Sequence, residues 1–272
     1  MKKPWKILIY LILGIQAVVT VYPLVWMILA SLKDNISFLA DPWALPDQLR
    51  FFNYKVAWEE GIQDFMVNSI VITVMTVLIV IFISCAFSFM LARFPFRGSG
   101  ILIGMFFAGM MIPVHCTLIP LYNIMDQLGW IDHLWALLFP YVASSLPLAV
   151  FLTYGHYQQL PRELDEAARI DGCGVTSMFF KIFLPLAKPV ISTTSILTAL
   201  NVWNEFMFAN VIITDPAKKT LPVGLLALKG TYSTDYAAMS AALTMSAIPI
   251  ILVYIFMSSK IQAGMVSGAV KS

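Results

Sequence analysis

Long apolar blocks alternate with short polar loops along the chain, and each block is far longer than a buried strand. A hydrocarbon core about 30 Å thick is crossed by about 20 apolar residues in helical conformation. Six blocks meet that length, and none of them contains Lys or Arg. The predicted spans are 7–30, 67–91, 101–121, 135–156, 189–212 and 237–258.

The composition agrees with a membrane protein, because 60% of the residues are hydrophobic and only 12% are charged. In lipid, the backbone of a spanning segment must satisfy its own hydrogen bonds, so each block is predicted to be a helix. The first block is too long for the apolar core of a cleaved signal peptide, and we expect it to be retained. The fold class is therefore predicted to be all-α integral membrane, with residues 1–272 forming one transmembrane domain of six helices.

Basic residues are distributed unevenly over the loops, and cytoplasmic loops normally hold them in excess. With the N-terminus inside, eleven Lys and Arg residues fall on the inner side and six on the outer side. This bias predicts that both termini are cytoplasmic. Lys218, Lys219 and Lys229 run against it, since all three lie in a loop assigned to the outside.

Several function classes are disfavoured by the residues themselves. A net charge of +2 with scattered basic side chains does not suit nucleic-acid binding. Cys85, Cys116 and Cys173 show no metal-binding spacing, and no catalytic constellation of His, Asp or Cys is present. The phosphate-binding pattern G-x-x-x-x-G-K-[ST] is also absent, so we expect neither ATP hydrolysis nor a metal site nor another enzymatic activity.

The loop at 160–186 differs from the others because it concentrates charge between two apolar spans. Its acidic residues suit the positive end of a helix that Gly172 and Gly174 would end. Apolar residues then recur at helical spacing from Val175 to Leu186. The pattern predicts a short helix, a tight turn and a second, amphipathic helix. Such a pair either covers the helix bundle or is a contact surface for a partner, and spacing alone leaves both open.

This loop resembles the E-A-A-x3-G-x9-I-x-L-P loop of ATP-binding-cassette (ABC) importer permeases. Glu166-Ala167-Ala168, Gly172, Ile182 and Leu184-Pro185 match every fixed position of the motif. The segments "LNVWNEFMFANVIIT", "KTLPVGL" and "KIQAGMVSGAVKS" resemble the carbohydrate-importing branch, in particular one permease subunit of the maltose type.

The resemblance implies a type I ABC importer permease fold in a bacterial cell membrane, with the loop acting as a cytoplasmic coupling helix. Glu166, Ala167 and Gly172 would form the centre of its docking surface. The implied ATPase-coupling residues are Glu163, Asp165, Glu166, Ala167, Ala168, Asp171 and Gly172.

The same resemblance implies the partners. They are a second permease subunit, a dimeric cytoplasmic ABC ATPase and an extracellular or periplasmic sugar-binding protein. The ATPase would use ATP and Mg, whereas this chain would bind no cofactor. The segment at 214–236 would face the binding protein, and the C-terminal tail would reach the ATPase. The cargo would be a sugar or an oligosaccharide.

Polar residues recur along the fifth predicted span at Thr194, Thr198, Asn201 and Glu205, and Asn204 lies beside them. Such a stripe on a helix in lipid must face a cavity or another helix. One interpretation is that Thr198, Asn201, Asn204 and Glu205 line a sugar pathway. The other is hydrogen bonding between helices, and most direct sugar contacts in the maltose type are made by the other permease subunit.

Two further features concern the third span and the first outer loop. Pro113 and Pro120 each remove a backbone donor, so bends are predicted at both. His115 between them is more typical of a packing residue than of a proton relay. The loop at 31–66 is long enough for a small helical elaboration.

An alternative function is a self-sufficient secondary carrier driven by an ion gradient. Such carriers usually show paired intramembrane charges or matched interrupted helices. Glu205 is the sole acidic residue within the predicted spans, so the sequence favours the ATP-driven importer.

Overall fold

The computed structural model describes residues 3–228 and 235–269, with side chains at 5–226, 228 and 235–255. All regular structure in these ranges is helical, which confirms the predicted all-α class. The α-helices are α1 Lys3–Ser31, α2 Asn35–Ala40, α3 Phe52–Ala57, α4 Gln63–Arg93, α5 Ser99–Gly109, α6 Leu118–Gln127, α7 Leu138–Gln159, α8 Glu163–Ile170, α9 Val175–Met178, α10 Leu184–Leu186, α11 Lys188–Trp203, α12 Met207–Ile212, α13 Leu221–Ala227 and α14 Tyr236–Ala269.

Short turns of other pitch join several of these helices. Wide π-type turns occupy Trp58–Ile62 and Phe179–Phe183, and 3-10 turns occupy Val114–Thr117, Leu134–Leu137 and Pro216–Lys218. Gly61 in the first wide turn has φ +114°, which marks a kink that glycine accommodates without a Cβ penalty.

Four helices are long and apolar enough to cross a membrane: Trp5–Ser31, Phe52–Arg93, Leu134–Gln159 and Tyr236–Ile255. Two bent pairs pass the same test only when each is taken together. Ser99–Gly109 with Val114–Gln127 is bent by 95°, and Val175–Leu186 with Lys188–Trp203 by 74°. Four to six spans are thus compatible with the described residues.

The bend in the third predicted span lies at Pro113, as predicted, because α5 ends at Gly109 and Pro113 adopts an extended conformation before the next turn. The bend predicted at Pro120 is wrong. Pro120 is the third residue of α6, where its missing N–H has no intrahelical partner to lose.

The chain divides into two compact units. The first comprises, among the described residues, 3–64, 224–228 and 235–249, and α2 and α3 confirm the helical elaboration predicted for the loop at 31–66. Its loop is held by buried polar groups. Asn53 Nδ2 donates to the carbonyls of Ser31 and Lys33, both at 2.7 Å, and the Lys33 Nζ donates to the Asp41 carbonyl at 2.9 Å.

The second unit comprises, among the described residues, 65–223 and 250–269, and two apolar clusters lie within it. The first includes Tyr141 on α7, Val202 on α11 and Phe208 on α12. The second includes Phe89 on α4, Tyr157 on α7 and Phe183 in the wide turn after α9. The two clusters involve opposite ends of α7, so each end of this unit has its own core.

Candidate functional site

The charged loop folds as predicted into a short helix, a tight turn and a second helical stretch. α8 begins at Glu163 and ends at Ile170. The Cys173 amide donates to the Ala168 carbonyl at 2.9 Å and the Gly172 amide to the Arg169 carbonyl at 3.0 Å. These two bonds form a Schellman motif, and Gly172 holds its left-handed position with φ +74°.

The requirement for glycine at 172 comes from this backbone conformation. Lack of space is not the reason, because a Cβ added at Gly172 would meet no atom within 4 Å. Gly174 is equally open and has an ordinary φ of −71°. In this chain, therefore, the positive φ alone distinguishes the two glycines.

The two faces of α8 have different environments. Leu164 and Ala168, four residues apart, pack on the second apolar cluster, and Ala168 is only 2% exposed. Glu163, Glu166 and Ala167 are exposed instead. The two alanines of the motif thus have opposite roles, one packing inward and one facing solvent.

Asp165 lies on the inward side of α8, where it meets Arg93 at the end of α4. Arg93 Nη1 is 3.3 Å from Asp165 Oδ2, and the two side chains are 3% and 15% exposed. Arg93 Nη2 also donates to the Leu160 carbonyl at 2.8 Å, and the guanidinium stacks on the Phe183 ring at 4.8 Å. Asp165 therefore joins α8 to α4 and is not part of the exposed surface.

The second helical stretch packs as the apolar stripe predicts, through Met178, Phe179 and Phe183, which are buried. Val175 and Leu186 at the two ends of the stripe are 44% and 41% exposed. This stretch and α8 contribute to the same core, because its buried residues belong to the same apolar cluster as Ala168.

Of the seven predicted coupling residues, Glu163, Glu166, Ala167, Asp171 and Gly172 are exposed. Asp165 and Ala168 are directed into the unit. The sequence analysis missed Ile170, whose apolar side chain is 86% exposed at the end of α8. Its spacing indicates this exposure, since Ile170 is six residues from Leu164 and two from Ala168, which places it on a different side of α8 from that buried pair.

The predicted polar stripe of the fifth span is interrupted. α11 ends at Trp203, so the helical spacing that extended the stripe to Glu205 is wrong. Glu205 Oε1 accepts from the Phe208 amide at 2.8 Å, and Oε2 accepts from the Ala209 amide at 3.2 Å and from the Tyr141 hydroxyl at 2.7 Å. Glu205 thus caps α12 and ties it to α7, while Thr198 is 3% exposed and Asn201 and Asn204 are exposed.

At the other end of α12, where the Asp132 amide donates to the Ile212 carbonyl, the turn at Asp132 forms a second polar junction. Asp132 has φ +64°, which is uncommon for a residue other than glycine. Its Oδ1 accepts from the Thr214 amide at 2.9 Å and the Asp215 amide at 2.8 Å. The hydrogen bond from the Asp215 amide is the main reason why the pKa of the Asp132 carboxyl is lowered, and Lys218 adds to it.

Asn68 and Ser69 of α4 hold the next part of the same segment. Asn68 Nδ2 donates to the carbonyls of Ala217 and Lys219 at 2.9 and 3.0 Å. Ser69 Oγ accepts from the Leu221 amide at 2.7 Å, and this bond is buried. Residues 214–221 are therefore fixed through their backbone atoms at several points.

His115 is exposed in the 3-10 turn after Pro113, so the interpretation as a packing residue is wrong for the isolated chain. Within the residues that the structure describes, no group of three His, Cys, Asp or Glu side chains could hold a metal ion.

Comparison with known proteins places these features in a family. Residues 84–265, more than half of the chain, match the family described as "Binding-protein-dependent transport system inner membrane component". The "Probable ABC transporter permease protein YurM" of Bacillus subtilis (strain 168) is 36% identical over 97% of this chain and 88% of the relative. The "Trehalose/maltose transport system permease protein MalG" of Thermococcus litoralis is 31% identical over 97% of this chain and 96% of the relative.

A solved chain from a bacterial ABC transporter involved in the import of alginate has the same fold. It superposes with a TM-score of 0.84 at 22% identity and covers 94% of this chain and 96% of that chain. The helical architecture, the match over residues 84–265 and the similarity to YurM and MalG agree with one another. The chain belongs to the family of binding-protein-dependent transport system inner membrane components.

Proposed function

We propose that this chain is one of two permease subunits of an ATP-driven ABC importer and forms half of the pathway for a sugar or oligosaccharide. Family membership carries the proposal, and the relative from Thermococcus litoralis is named for trehalose and maltose transport. The second permease subunit would complete the pathway. A separate dimeric ATPase would use ATP and Mg, and an extracellular or periplasmic sugar-binding protein would deliver the cargo.

The exposed face of α8 is the proposed docking surface for the ATPase. Ala167 permits close approach, Ile170 offers an apolar side chain, and Glu163, Glu166 and Asp171 offer carboxylates. Gly172 fixes the turn at the tip of this surface. Asp165 and Ala168 would transmit force from α8 into the unit, because they contact Arg93 and the second apolar cluster.

Contacts at the two ends of the second unit support six crossings of one permease domain. Six alternating crossings put residues 93 and 160–186 on one side of the membrane and residues 68, 132 and 214–221 on the other. Arg93 does contact Leu160 and Asp165, while Asn68 and Asp132 contact segments between 214 and 219. In the proposed topology Ser99–Gly109 with Val114–Gln127 contributes one crossing, Lys188–Trp203 contributes to another, and both termini are cytoplasmic.

Asn201 and Asn204 are the proposed pathway-lining residues on this chain. Both are exposed at the end of α11 and carry amides that can hydrogen-bond sugar hydroxyls. Thr198 and Glu205, the other two candidates, would stabilise the pathway wall without facing the sugar. Thr198 is buried, and Glu205 accepts three hydrogen bonds.

Reconstitution into liposomes tests the proposal. The complex purified through a tag on this chain is expected to hydrolyse ATP and to accumulate a labelled sugar from a panel of maltose, trehalose and diacetylchitobiose only when ATP and binding protein are present. Uptake by the chain alone, driven by a sodium or proton gradient, would contradict the proposal and favour a secondary carrier.

A further inference from the structure

Helix α4 contacts both ends of the second unit. Near its start, Asn68 and Ser69 hold the backbone of residues 217–221 through three hydrogen bonds. At its last residue, Arg93 holds α8 through Asp165 and the chain before α8 through Leu160. The two contact points are 25 residues apart, about 37 Å along a helix and comparable with the thickness of a bilayer.

The composition of α4 makes it stiff. It has 31 residues and contains neither Gly nor Pro. Each of the other described α-helices of more than 20 residues contains an internal proline: Pro23 in α1, Pro147 in α7 and Pro249 in α14. Proline removes a helical hydrogen bond and permits bending at that point. α4 therefore lacks the usual sites at which a long helix bends.

Hydroxyl groups join α4 to α7 between its two ends. Ser88 Oγ lies 2.7 Å from Thr153 Oγ1, and Thr153 Oγ1 also donates to the carbonyl of Ala149 at 2.8 Å and lies 3.3 Å from that of Ser84. Small polar residues let membrane helices approach closely and hydrogen-bond to each other. This seam limits rotation of α4 about its own axis.

We propose that α4 is the mechanical link between the two partner surfaces, with Asn68 and Arg93 as the positioning residues at its ends. The proposal rests on the proposed function, in which α8 faces the ATPase, and on the expectation that the segment at 214–236, which includes residues 217–221, faces the binding protein. Because α4 is rigid and held at both ends, displacement of α8 by the motor moves residues 217–221. By reciprocity, the docked binding protein biases the motor through the same helix.

The test measures how strongly the loaded binding protein stimulates ATP hydrolysis by the complex in nanodiscs. The sugar is whichever of maltose, trehalose and diacetylchitobiose gives the largest stimulation with the wild type. Asn68→Ala and Arg93→Lys are each expected to reduce the stimulation at least threefold. The double variant is expected to lose no more stimulation than the more impaired single variant, because both substitutions break the same linkage through α4. The exposed residues Gln63 and Arg97 supply controls, Gln63→Ala and Arg97→Lys, that keep full stimulation.

A second pair of variants tests stiffness without touching either end. Leu78 lies near the middle of α4 and is 61% exposed. Leu78→Gly adds backbone freedom there, whereas Leu78→Ala removes the same side chain beyond Cβ and keeps the helix stiff. Only the Gly variant is expected to lose stimulation, with unchanged amounts of ATPase in the purified complex. The two Leu78 variants test the role of α4 even if the complex with Arg93→Lys fails to assemble.

The outcomes separate the two proposals. A wild-type complex without an ATPase, or without any response to the binding protein, overturns the proposed function. A responsive wild type in which Leu78→Gly matches Leu78→Ala, or in which the effects of Asn68→Ala and Arg93→Lys multiply, leaves the function intact and overturns the role of α4.

Discussion

The two ends of the second unit are built by different means. At the α8 end, one buried guanidinium holds the structure through a carboxylate, a carbonyl and an aromatic ring. At the opposite end, side chains of Asn68, Asp132 and Glu205 hold backbone amides and carbonyls of residues 208–219. The first end thus concentrates its polar contacts on one guanidinium beside an apolar cluster, while the second distributes them over several side chains.

This difference suits the role proposed for each end. A surface that receives force from a motor must move as one body, and the buried Arg93–Asp165 pair and the packing of Ala168 on the second apolar cluster join α8 to α4 in that way. A loop that meets a partner outside the membrane needs a fixed backbone while its side chains stay free to contact the partner. Hydrogen bonds to backbone atoms provide such fixation whatever the side chains of residues 214–219 are.

The largest effect is expected from removing the Arg93 side chain. Arg93→Ala leaves Asp165 partly buried without its cation, and loss of one partner of a buried pair costs about 3 kcal/mol, at the low end because Asp165 is 15% exposed. We expect a lower thermal midpoint and loss of transport. Arg97→Ala, four residues further along and exposed, is the control. Equal midpoints for the two variants would show that the ion pair does not anchor α8.

A smaller loss is expected at the opposite end from Tyr141→Phe. It removes one hydrogen bond to the Glu205 carboxylate, worth about 1.5–3 kcal/mol for a charged acceptor, while two amides still bind Glu205. Tyr154→Phe on the same helix is the matched control, since the Tyr154 hydroxyl bonds to exposed Gln158. The midpoint in detergent is expected to fall only for Tyr141→Phe, and a fall of equal size in the control would contradict the assignment.

The turn after α8 gives the next effect in size. Gly172→Val forces a branched residue to φ +74° and is expected to cost about 1–2 kcal/mol locally, because left-handed backbone disfavours a Cβ. Gly174→Val adds the same side chain at φ −71° without that strain. ATP-driven uptake, relative to ATP hydrolysed, should fall for Gly172→Val and stay close to wild type for Gly174→Val. The reverse ranking would contradict the role assigned to the backbone conformation of Gly172.

The smallest effect concerns pH at Asp132. Since the folded protein lowers the pKa of this carboxyl below 3.8, its stabilising contribution is fully present above about pH 4 and is lost as the pH falls through the lowered pKa. A fluorine label on Ala217→Cys is expected to report a mobile segment only in that acidic window. Asp132→Asn tolerates the positive φ and should abolish the pH dependence. Mobility that changes between pH 5 and 7 would contradict this assignment.

Sequence patterns predicted the regular parts of the fold because those parts obey a local rule. Apolar block length located the long helices, and the spacing from Val175 to Leu186 predicted a stripe whose central residues are buried. Gly172 predicted the turn because only its positive φ fits the Schellman motif.

The remaining features depend on contacts between distant residues. No Pro or Gly marks the break after Trp203, which is stabilised by Glu205 and Tyr141, 64 residues apart. Arg93 and Asp165 are likewise separated by 72 positions, so no local pattern links them. Asp132 occupies a left-handed position that sequence assigns to glycine, and the amides it caps belong to a segment more than 80 residues away.

The central claim is that an ATPase subunit docks on the exposed face of α8, and two adjacent alanines of α8 test it most directly. Ala167 is exposed and Ala168 is 2% exposed. With Cys116 and Cys173 replaced by Ser, Ala167→Cys is expected to cross-link to the ATPase through a short thiol-reactive linker, and Ala168→Cys is not. An ATPase that hydrolyses ATP in the purified complex yet never cross-links to position 167, in any nucleotide state, would contradict the account.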